Sequence, residues 1–325
     1  MNYCLFKLRF TTPVHFGTPS SALSLYSSED HFLADTLFSA LCHEALSLWG
    51  EEGLGDFISE AEKGSLLLSD SMPWREETFY LPRPYVNGKP SSEELTSKQR
   101  KAMKKLRWIP VGAFGSFTLS VKTGDRFQTE MIDSHFGSED EITRVHISGL
   151  EVSRPFQIGI YRFQENCGLY FIAGCSDDTV AEKLRLLTEA VGLSGIGGRV
   201  SSGLGKFQIE DTILLNEPFD DQTEWLFHGL SELESGRFLL LTSSLPEEKE
   251  LDRVISDASY QMVRRGGFVG SASFAESPRK KKTEYYLTAG SVLPYRFPGS
   301  VRVVAEGGKH SVLRFNQPVF LGVDL

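Results

Sequence analysis

The chain has 325 residues, enough for one large domain or two ordinary ones, and its 40% apolar content can fill a core. A formal net charge of −9 argues against a protein that coats nucleic acid indiscriminately, but leaves local basic sites open. Cys4, Cys42, Cys167 and Cys175 lack paired CxxC spacing, so neither a zinc knuckle nor a disulfide framework is suggested and reduced thiols in a cytoplasmic protein are expected. Lys7 and Arg9 interrupt the apolar start, which speaks against a secretory signal, and no apolar run nears the ~20 residues of a membrane span.

"YCLFKLRF" alternates Cys4, Phe6, Leu8 and Phe10 against Leu5, Lys7 and Arg9, which predicts a strand with one buried face. A long polar connector, "TTPVHFGTPSSALSLYSSED", leads to a helix. Ser28 or Asp30 can cap it, Leu33, Leu37, Leu41 and Leu48 recur at helical spacing, and Gly50 can end it. "FQIGIYRF" and "GLYFIAG" read as a hairpin around "QENC". Asp177 or Asp178 can cap a second helix with Val180, Leu184, Leu187 and Val191 in one stripe. A glycine-rich loop follows, then "FQIEDTILL" as a strand. The order β-α, interruption, β-β-α-β is that of a split ferredoxin-like βαββαβ unit.

The interruption, about residues 50–155, holds "SLLLSDSMPW", "YLPRPYV", the basic "KQRKAMKKLR" and a strand-like "FTLSV". Loops this long are usually functional or partly disordered. "NEPFDDQTEW" reads as an acidic linker. Beyond it, "RFLLLTS" reads as a strand, "PEEKELDRVI" as a short helix, and "YQMVRRGGFV", "YYLTAGSVL", "SVRVVAE" and "PVFLGVDL" as strands. The expected fold is α+β, with two ferredoxin-like (RRM-like) domains spanning residues 1–215 and 216–325.

The glycine-rich loop belongs to "GLSGIGGRVSSGLGKFQI", residues 192–209, which holds six glycines in its first fourteen residues. A Walker-type loop is excluded, because Val200 stands where its first Gly belongs and Phe207 follows Lys206. A dinucleotide fingerprint fails too: Val200 and Gln208 occupy the third-Gly positions, and the loop follows a helix and feeds a strand. No nucleotide cofactor is therefore expected. Glycines let backbone N–H groups approach a phosphate chain, Ser201 and Ser202 add hydroxyls, and Arg199 and Lys206 add charge. The other reading is a turn that needs glycine only for its backbone geometry. Basic clusters recur at Lys98, Arg100, Lys101, Lys104, Lys105 and Arg107, at Arg279 to Lys282, and at Arg264 and Arg265 beside Gly266-Gly267. Each alone can also be a solvated face.

"SGIGGRVSSGLGKF" has the form G-x-G-G-x-x-x-S-G-x-G, and in this the chain resembles the RAMP superfamily of CRISPR-associated proteins. "TPVHFG", "ADTLFSALCHEAL", "LLSDSMPW" with "YLPRPY", "KKLRWIPV", "MVRRGGFVGS" and "AGSVL" follow in order, and the set resembles the family of fourth subunits of type III-A (Csm) effector complexes. The resemblance implies a non-catalytic RNA-binding subunit that holds the repeat-derived 5′ tag of crRNA in antiviral defence. It implies contact with the large polymerase-like (palm-domain) subunit and a RAMP-type backbone subunit, without a membrane or a small-molecule substrate. It carries RNA contact over to Gly195, Gly197, Gly198, Arg199, Ser201, Ser202, Gly203, Gly205 and Lys206, to His15, Phe16 and Gly17, and to Arg264, Arg265 and Gly266. Arg144 and His146 of "RVHIS" match a further family segment loosely. Arg199 and Lys206 are expected to neutralise phosphates, and Phe16 to stack on a splayed base. Asp at both 197 and 198 is expected to abolish RNA retention without unfolding the chain.

Two alternatives remain. Relatives in the superfamily cleave repeat RNA, which needs a general base and acid; His15, His31 and His43 are candidates, with Lys206 stabilising charge. Twelve positions separate His31 and His43, a turn of about 120° beyond three full turns, so they need not face one site. His31 and Asp35 have i, i+4 spacing but no apparent third ligand, so no metal is expected, and no G-x-S-x-G elbow is present. The last alternative is a structural interface subunit without RNA contact.

Overall fold

The alternating start of the chain forms β1 (Asn2–Phe10), which lies inside the main sheet between two antiparallel partners. The computed structural model describes residues 1–17, 24–86, 96–146, 154–234, 236–271 and 273–325. After β1, β2 (Phe16–Gly17) pairs with β3 (Ser28–Glu29), so the connector doubles back before α1 (Ala34–Glu62). Gly50, at φ 70°, kinks α1 instead of ending it, and the helix resumes because Phe57 stacks on Phe38 at 5.7 Å in the core. Leu48 falls off the buried stripe and is 55% exposed. Neither Ser28 nor Asp30 caps α1. Its first N–H, on Ala34, is taken by the Asp70 carboxylate at 2.8 Å, from a turn far along the chain.

That turn joins β4 (Leu66–Leu68) to β5 (Met72–Arg75), and β6 (Thr78–Pro82) follows. Then come α2 (Ser97–Lys105), β7 (Trp108–Pro110), α3 (Val111–Thr123), β8 (Gly137–His146), β9 (Arg154–Phe163), β10 (Cys167–Cys175), α4 (Asp178–Ser194) and β11 (Phe207–Leu214). The sheet runs β11-β1-β10-β5-β6-β7, and β4 also pairs with β10.

The expected hairpin of β9 with β10 does not form. β9 pairs with β8 over ten residues, from Gly137↔Phe163 to His146↔Arg154. β10 pairs with β1, β4 and β5, and all nine of its residues are buried. A strand covered on both faces lacks the alternation that would name its partner. The strand beside β10 therefore comes from "SLLLSDSMPW", inside the stretch read as an interruption, and the antiparallel order is β11-β1-β10-β4. "FTLSV" is helical, not extended: Val111, Phe114, Phe117 and Thr118 form the buried face of α3.

The acidic "linker" is also a helix, α5 (Asp221–Ser231), started by a capping box between Asp220 and Thr223. Its Trp225 packs against Phe114 at 5.3 Å. Beyond it lie β12 (Arg237–Leu240), α6 (Glu248–Ile255), β13 (Met262–Arg265), β14 (Glu284–Leu287), β15 (Val292–Leu293), β16 (Ser300–Ala305), β17 (Val312–Asn316) and β18 (Phe320–Val323). β15-β12-β18 form a three-stranded sheet, with β13–β14 and β16–β17 as separate ribbons. Among the described residues, a ribbon and not a helix stands between β15 and β18. Leu239, Leu241 and Leu321 pack into one core with Tyr3, Trp74 and Ile172, so the two halves share an apolar interior. The architecture is α+β with antiparallel sheets.

Candidate nucleic-acid interface

The glycine loop is fastened to the segment after β1. Gly205 N–H donates to the Pro13 carbonyl (2.8 Å), Gly198 N–H to His15 (2.8 Å), and Thr11 N–H to Lys206 (2.9 Å). Within the loop, Ile196 N–H reaches the Gly205 carbonyl at 3.0 Å. These approaches require bare backbone. A Cβ on Gly205 would stand 2.1 Å from the Ile196 oxygen, on Gly195 2.5 Å from the Leu204 oxygen, and on Gly197 2.8 Å from the Phe16 ring. On Gly198 it would stand 2.6 Å from the His15 ring. Asp at 197 and 198 would thus strain the fold itself, contrary to the expectation that only RNA retention would suffer. Gly203, at φ 83°, faces open space.

The loop has two edges. Arg199, Ser201, Ser202 and Lys206 are exposed on the outer edge, with a 3₁₀ turn at Val200–Ser202. The Arg199 guanidinium lies 5.6 Å from the Phe156 ring on β9. The inner edge, Gly197 and Gly198, joins His15, Phe16 and Gly17 in the wall of a cavity of about 600 Å³. Opposite walls carry Arg83 and Tyr85 after β6, Lys104 on α2, Arg107 and Trp108 at β7, and Val263 and Arg265 on β13. His31, Asp70 and Ser243 complete it. The cavity thus lies between the two halves, which Asp70 ties together: Ser243 donates to it from Oγ (2.6 Å) and N (2.9 Å).

Not every expected contact residue is available to a ligand. Phe16 is 5% exposed and packs edge-on against Phe10 (6.2 Å) and Phe32 (5.6 Å), so its ring belongs to the core and cannot serve as a stacking platform. Arg265 clasps Asp35 through Nη2 (2.6 Å) and Nε (3.1 Å). Burial alone would raise the Asp35 carboxyl, but Arg265 and then Arg314 outweigh it and hold it below its ordinary range. Arg264 is exposed on the opposite face of β13, and Gly266 lies against Thr283. The side chain of His146 lies outside the described residues, whereas Arg144 is exposed on β8.

Burial lowers the pKa of His15, and the nearby Arg199 charge adds to this. The shift favours the neutral ring, although the hydrogen bond to Gly159 opposes it; in that form Nδ1–H donates to the Gly159 carbonyl at 2.6 Å and Nε2 is left as an acceptor. His31 Nδ1 meets Asp30 Oδ1 at 2.9 Å, and its ring stands edge-on to Trp108 at 5.5 Å. His43 is exposed on α1 and does not line the cavity. Glu29, Asp30 and His31 bring ligand atoms within 4.8 Å of one another. The Asp30 carboxylate already meets the Arg107 guanidinium (3.5 Å), which offsets its charge without a metal ion, and accepts from the Trp108 indole N–H (3.4 Å). Asp35 is committed to Arg265, so the His31/Asp35 pair does not make a metal site.

Sequence reasoning singled out Lys104 only as one member of a basic cluster, and gave no role to Arg83, Trp108 or Asp70. Arg83 donates to the Met103 carbonyl, and neither it nor Lys104 forms an ion pair among the described residues. A signal was present: "RPY" and "KKLRW" each set cations beside an aromatic.

Residues 234–323 match the family described as the CRISPR Csm4 C-terminal domain. Over 326 residues the chain is 31% identical to the "CRISPR system Cms protein Csm4" of Mycobacterium tuberculosis (strain CDC 1551 / Oshkosh), covering 99% of this chain and 98% of that protein. The chain belongs to the Csm4 family. The Csm4 protein of Streptococcus thermophilus is 28% identical over 336 residues, spanning 100% of both. Among solved structures, a chain of the Csm3–Csm4 subcomplex in the type III-A CRISPR-Cas interference complex superposes with a TM-score of 0.67 at 16% identity, covering 100% of both chains. A chain of the Csm1–Csm4 cassette in complex with pppApA gives 0.61 at 16% identity, covering 100% of this chain and 99% of that one. The Csm4-like fold thus extends over the whole chain, and the resemblance to CRISPR-associated RAMP subunits holds.

Proposed function

We propose that this Csm4-family chain is a non-catalytic, cytoplasmic subunit of a type III-A effector complex that holds the repeat-derived 5′ tag of crRNA. The observation that carries this is convergence. Residues of "TPVHFG", "YLPRPY", "KKLRW", "MVRRGG" and the glycine loop lie far apart in the chain, yet all line one cavity. Its volume of about 600 Å³ suits a nucleotide-sized guest. Arg83 and Lys104 supply charge that no internal acid compensates among the described residues. Arg199 and Lys206, with the hydroxyls of Ser201 and Ser202, continue a phosphate-binding surface outside.

The names of the solved relatives, a Csm3–Csm4 subcomplex and a Csm1–Csm4 cassette, support contact with a backbone RAMP subunit and the large palm-domain subunit. The β11-β1-β10-β4 order supports a ferredoxin-like first domain, with its insertion between β5 and β10, and a divergent second domain after residue 215. No metal or cofactor is part of this reading.

Purification of the assembled complex, ultraviolet crosslinking and sequencing of RNA 5′ ends test it. The expected result is RNA sharing one constant 5′ tag, crosslinked near residues 15–17, 83–108 and 195–206. Absence of RNA at these peptides overturns it in favour of a purely structural subunit. His15 and His31 share the cavity, so uncut repeat precursors that shorten with time in EDTA would assign an endoribonuclease instead.

A further inference from the structure

The ribbon β13–β14 has two chemically different faces. Directly opposed residues share a face, so Arg265 with Glu284 and Val263 with Tyr286 form one, and Arg264 with Tyr285 the other. The first face turns inward: Tyr286 is 1% exposed, and Val263 and Arg265 line the cavity. On the second face Tyr285 is 54% exposed. Past Gly267, at φ 97°, an isolated bridge joins Phe268 to Lys280, one residue out of register with the ribbon. Phe268 is 59% exposed, and the Lys280 ammonium lies 5.9 Å from its ring. An exposed ring thus stands opposite a cation on the ribbon, and again at the bridge beyond its end.

We propose that these two exposed ring–cation pairs form a second binding surface for single-stranded RNA, distinct from the cavity, with Tyr285 and Phe268 as stacking platforms and Arg264 and Lys280 as phosphate contacts. Stacking rings flanked by cations are what a single strand needs, because every base offers a π-face and every linkage a charge. Arg279, Lys280 and Lys282 are all exposed, and none forms an ion pair among the described residues. Such a concentration of positive charge stands out on a chain of net charge −9. A protein-docking patch is the competing reading, but its core would be depleted in lysine. β13 presents one face to the cavity and the other to this surface, so a strand leaving the cavity can pass directly onto it. The inference rests on the RNA-binding function proposed above and extends it beyond the cavity.

The test uses the full chain and a fluorescent twelve-nucleotide uridine RNA, with affinity read by anisotropy across a range of KCl concentrations. Tyr285→Leu and Phe268→Leu keep apolar bulk and remove the stacking ring. Each is expected to weaken binding by roughly 5- to 150-fold with an unchanged salt slope. Tyr285→Phe is expected to bind as the parent does, and Lys280→Ala to flatten the salt slope by about one. Arg83→Ala reports on the cavity independently. Leucine variants that bind normally while Arg83→Ala weakens binding would sink the ribbon proposal and leave the cavity standing. If neither class of variant changes affinity, both fall. If the leucine variants keep RNA but lose neighbouring subunits from the purified complex, the face is a protein interface and the proposal is wrong. Both rings are largely exposed, so matched melting temperatures are expected and serve as the folding control.

Discussion

The inner and outer edges of the glycine loop are separated by a few residues and do opposite work. The inner edge packs on its own chain: Gly195, Gly197 and Gly205 sit at positive φ where a Cβ would meet protein atoms within 3 Å. The outer edge packs on little and carries Arg199, Ser201, Ser202 and Lys206 into solvent. A glycine-rich run read as a phosphate cradle is therefore, in good part, a joint between α4 and the segment after β1. In the proposed function, the RNA-facing chemistry falls to what the joint positions.

The sharpest way to break this comparison is to add one methyl group at two places in the loop. Gly205→Ala drives a Cβ to 2.1 Å from a backbone oxygen at φ 77°, and should destabilise by roughly 3 kcal/mol through strain and overpacking together. Gly203→Ala meets nothing within 4 Å, so only the left-handed backbone penalty of about 1 kcal/mol applies. Urea unfolding of both variants measures the gap, and equal losses would refute the close-approach account.

Asp70→Ala removes the acceptor for Ala34 N–H and Ser243 N–H at the seam of the two halves. Stranding those buried donors should lower stability by about 2–4 kcal/mol, with Asp70→Asn retaining part of it. A loss below about 0.5 kcal/mol would mean that the seam does not depend on Asp70. On the outer edge the order reverses. Arg199→Ala and Lys206→Ala should stay within about 0.5 kcal/mol in stability, yet each should flatten the salt dependence of RNA binding by about one. An unfolding midpoint that moves with either variant would erase the distinction between the edges.

How much of this was legible follows from which residues speak locally. The stripe Val180, Leu184, Leu187 and Val191 named α4, and Asp177 named its start, because caps and helical spacing are local signals. The partner of β10 was not legible, since a wholly buried strand carries no face preference. The cap of α1 was not legible either, because Asp70 reaches it across 36 positions. For the candidate site, the glycine loop stood out by its motif, and the segment at His15 to Gly17 was named only through the family resemblance; the structure places both in the wall of one cavity. Arg83 and Trp108 joined the candidate site, and Lys104 was drawn out of its basic cluster, only when β6, α2 and β7 brought them to one cavity. Arg265 shows the converse: a cation conspicuous in sequence proves to be occupied by Asp35.

The smallest effect separates the edges by proton rather than by methyl group. His15 sits behind the inner edge, and burial, reinforced by the Arg199 charge, depresses its pKa below the ordinary 6.5. Folding therefore favours neutral imidazole. The stability this contributes is fully present above the unfolded value and is lost as pH falls through the lower, folded one. Asp70 shifts the other way, because burial raises its carboxyl, so the pH profile of the parent protein mixes both groups. Subtracting the profile of His15→Gln from that of the parent removes the Asp70 contribution. Between pH 7.5 and 5, the parent should lose more unfolding free energy than the variant, with the difference growing toward acid. A difference that is flat, or that grows toward alkali, would show that His15 is not held neutral. The inner edge would then be as open to charge as the outer one.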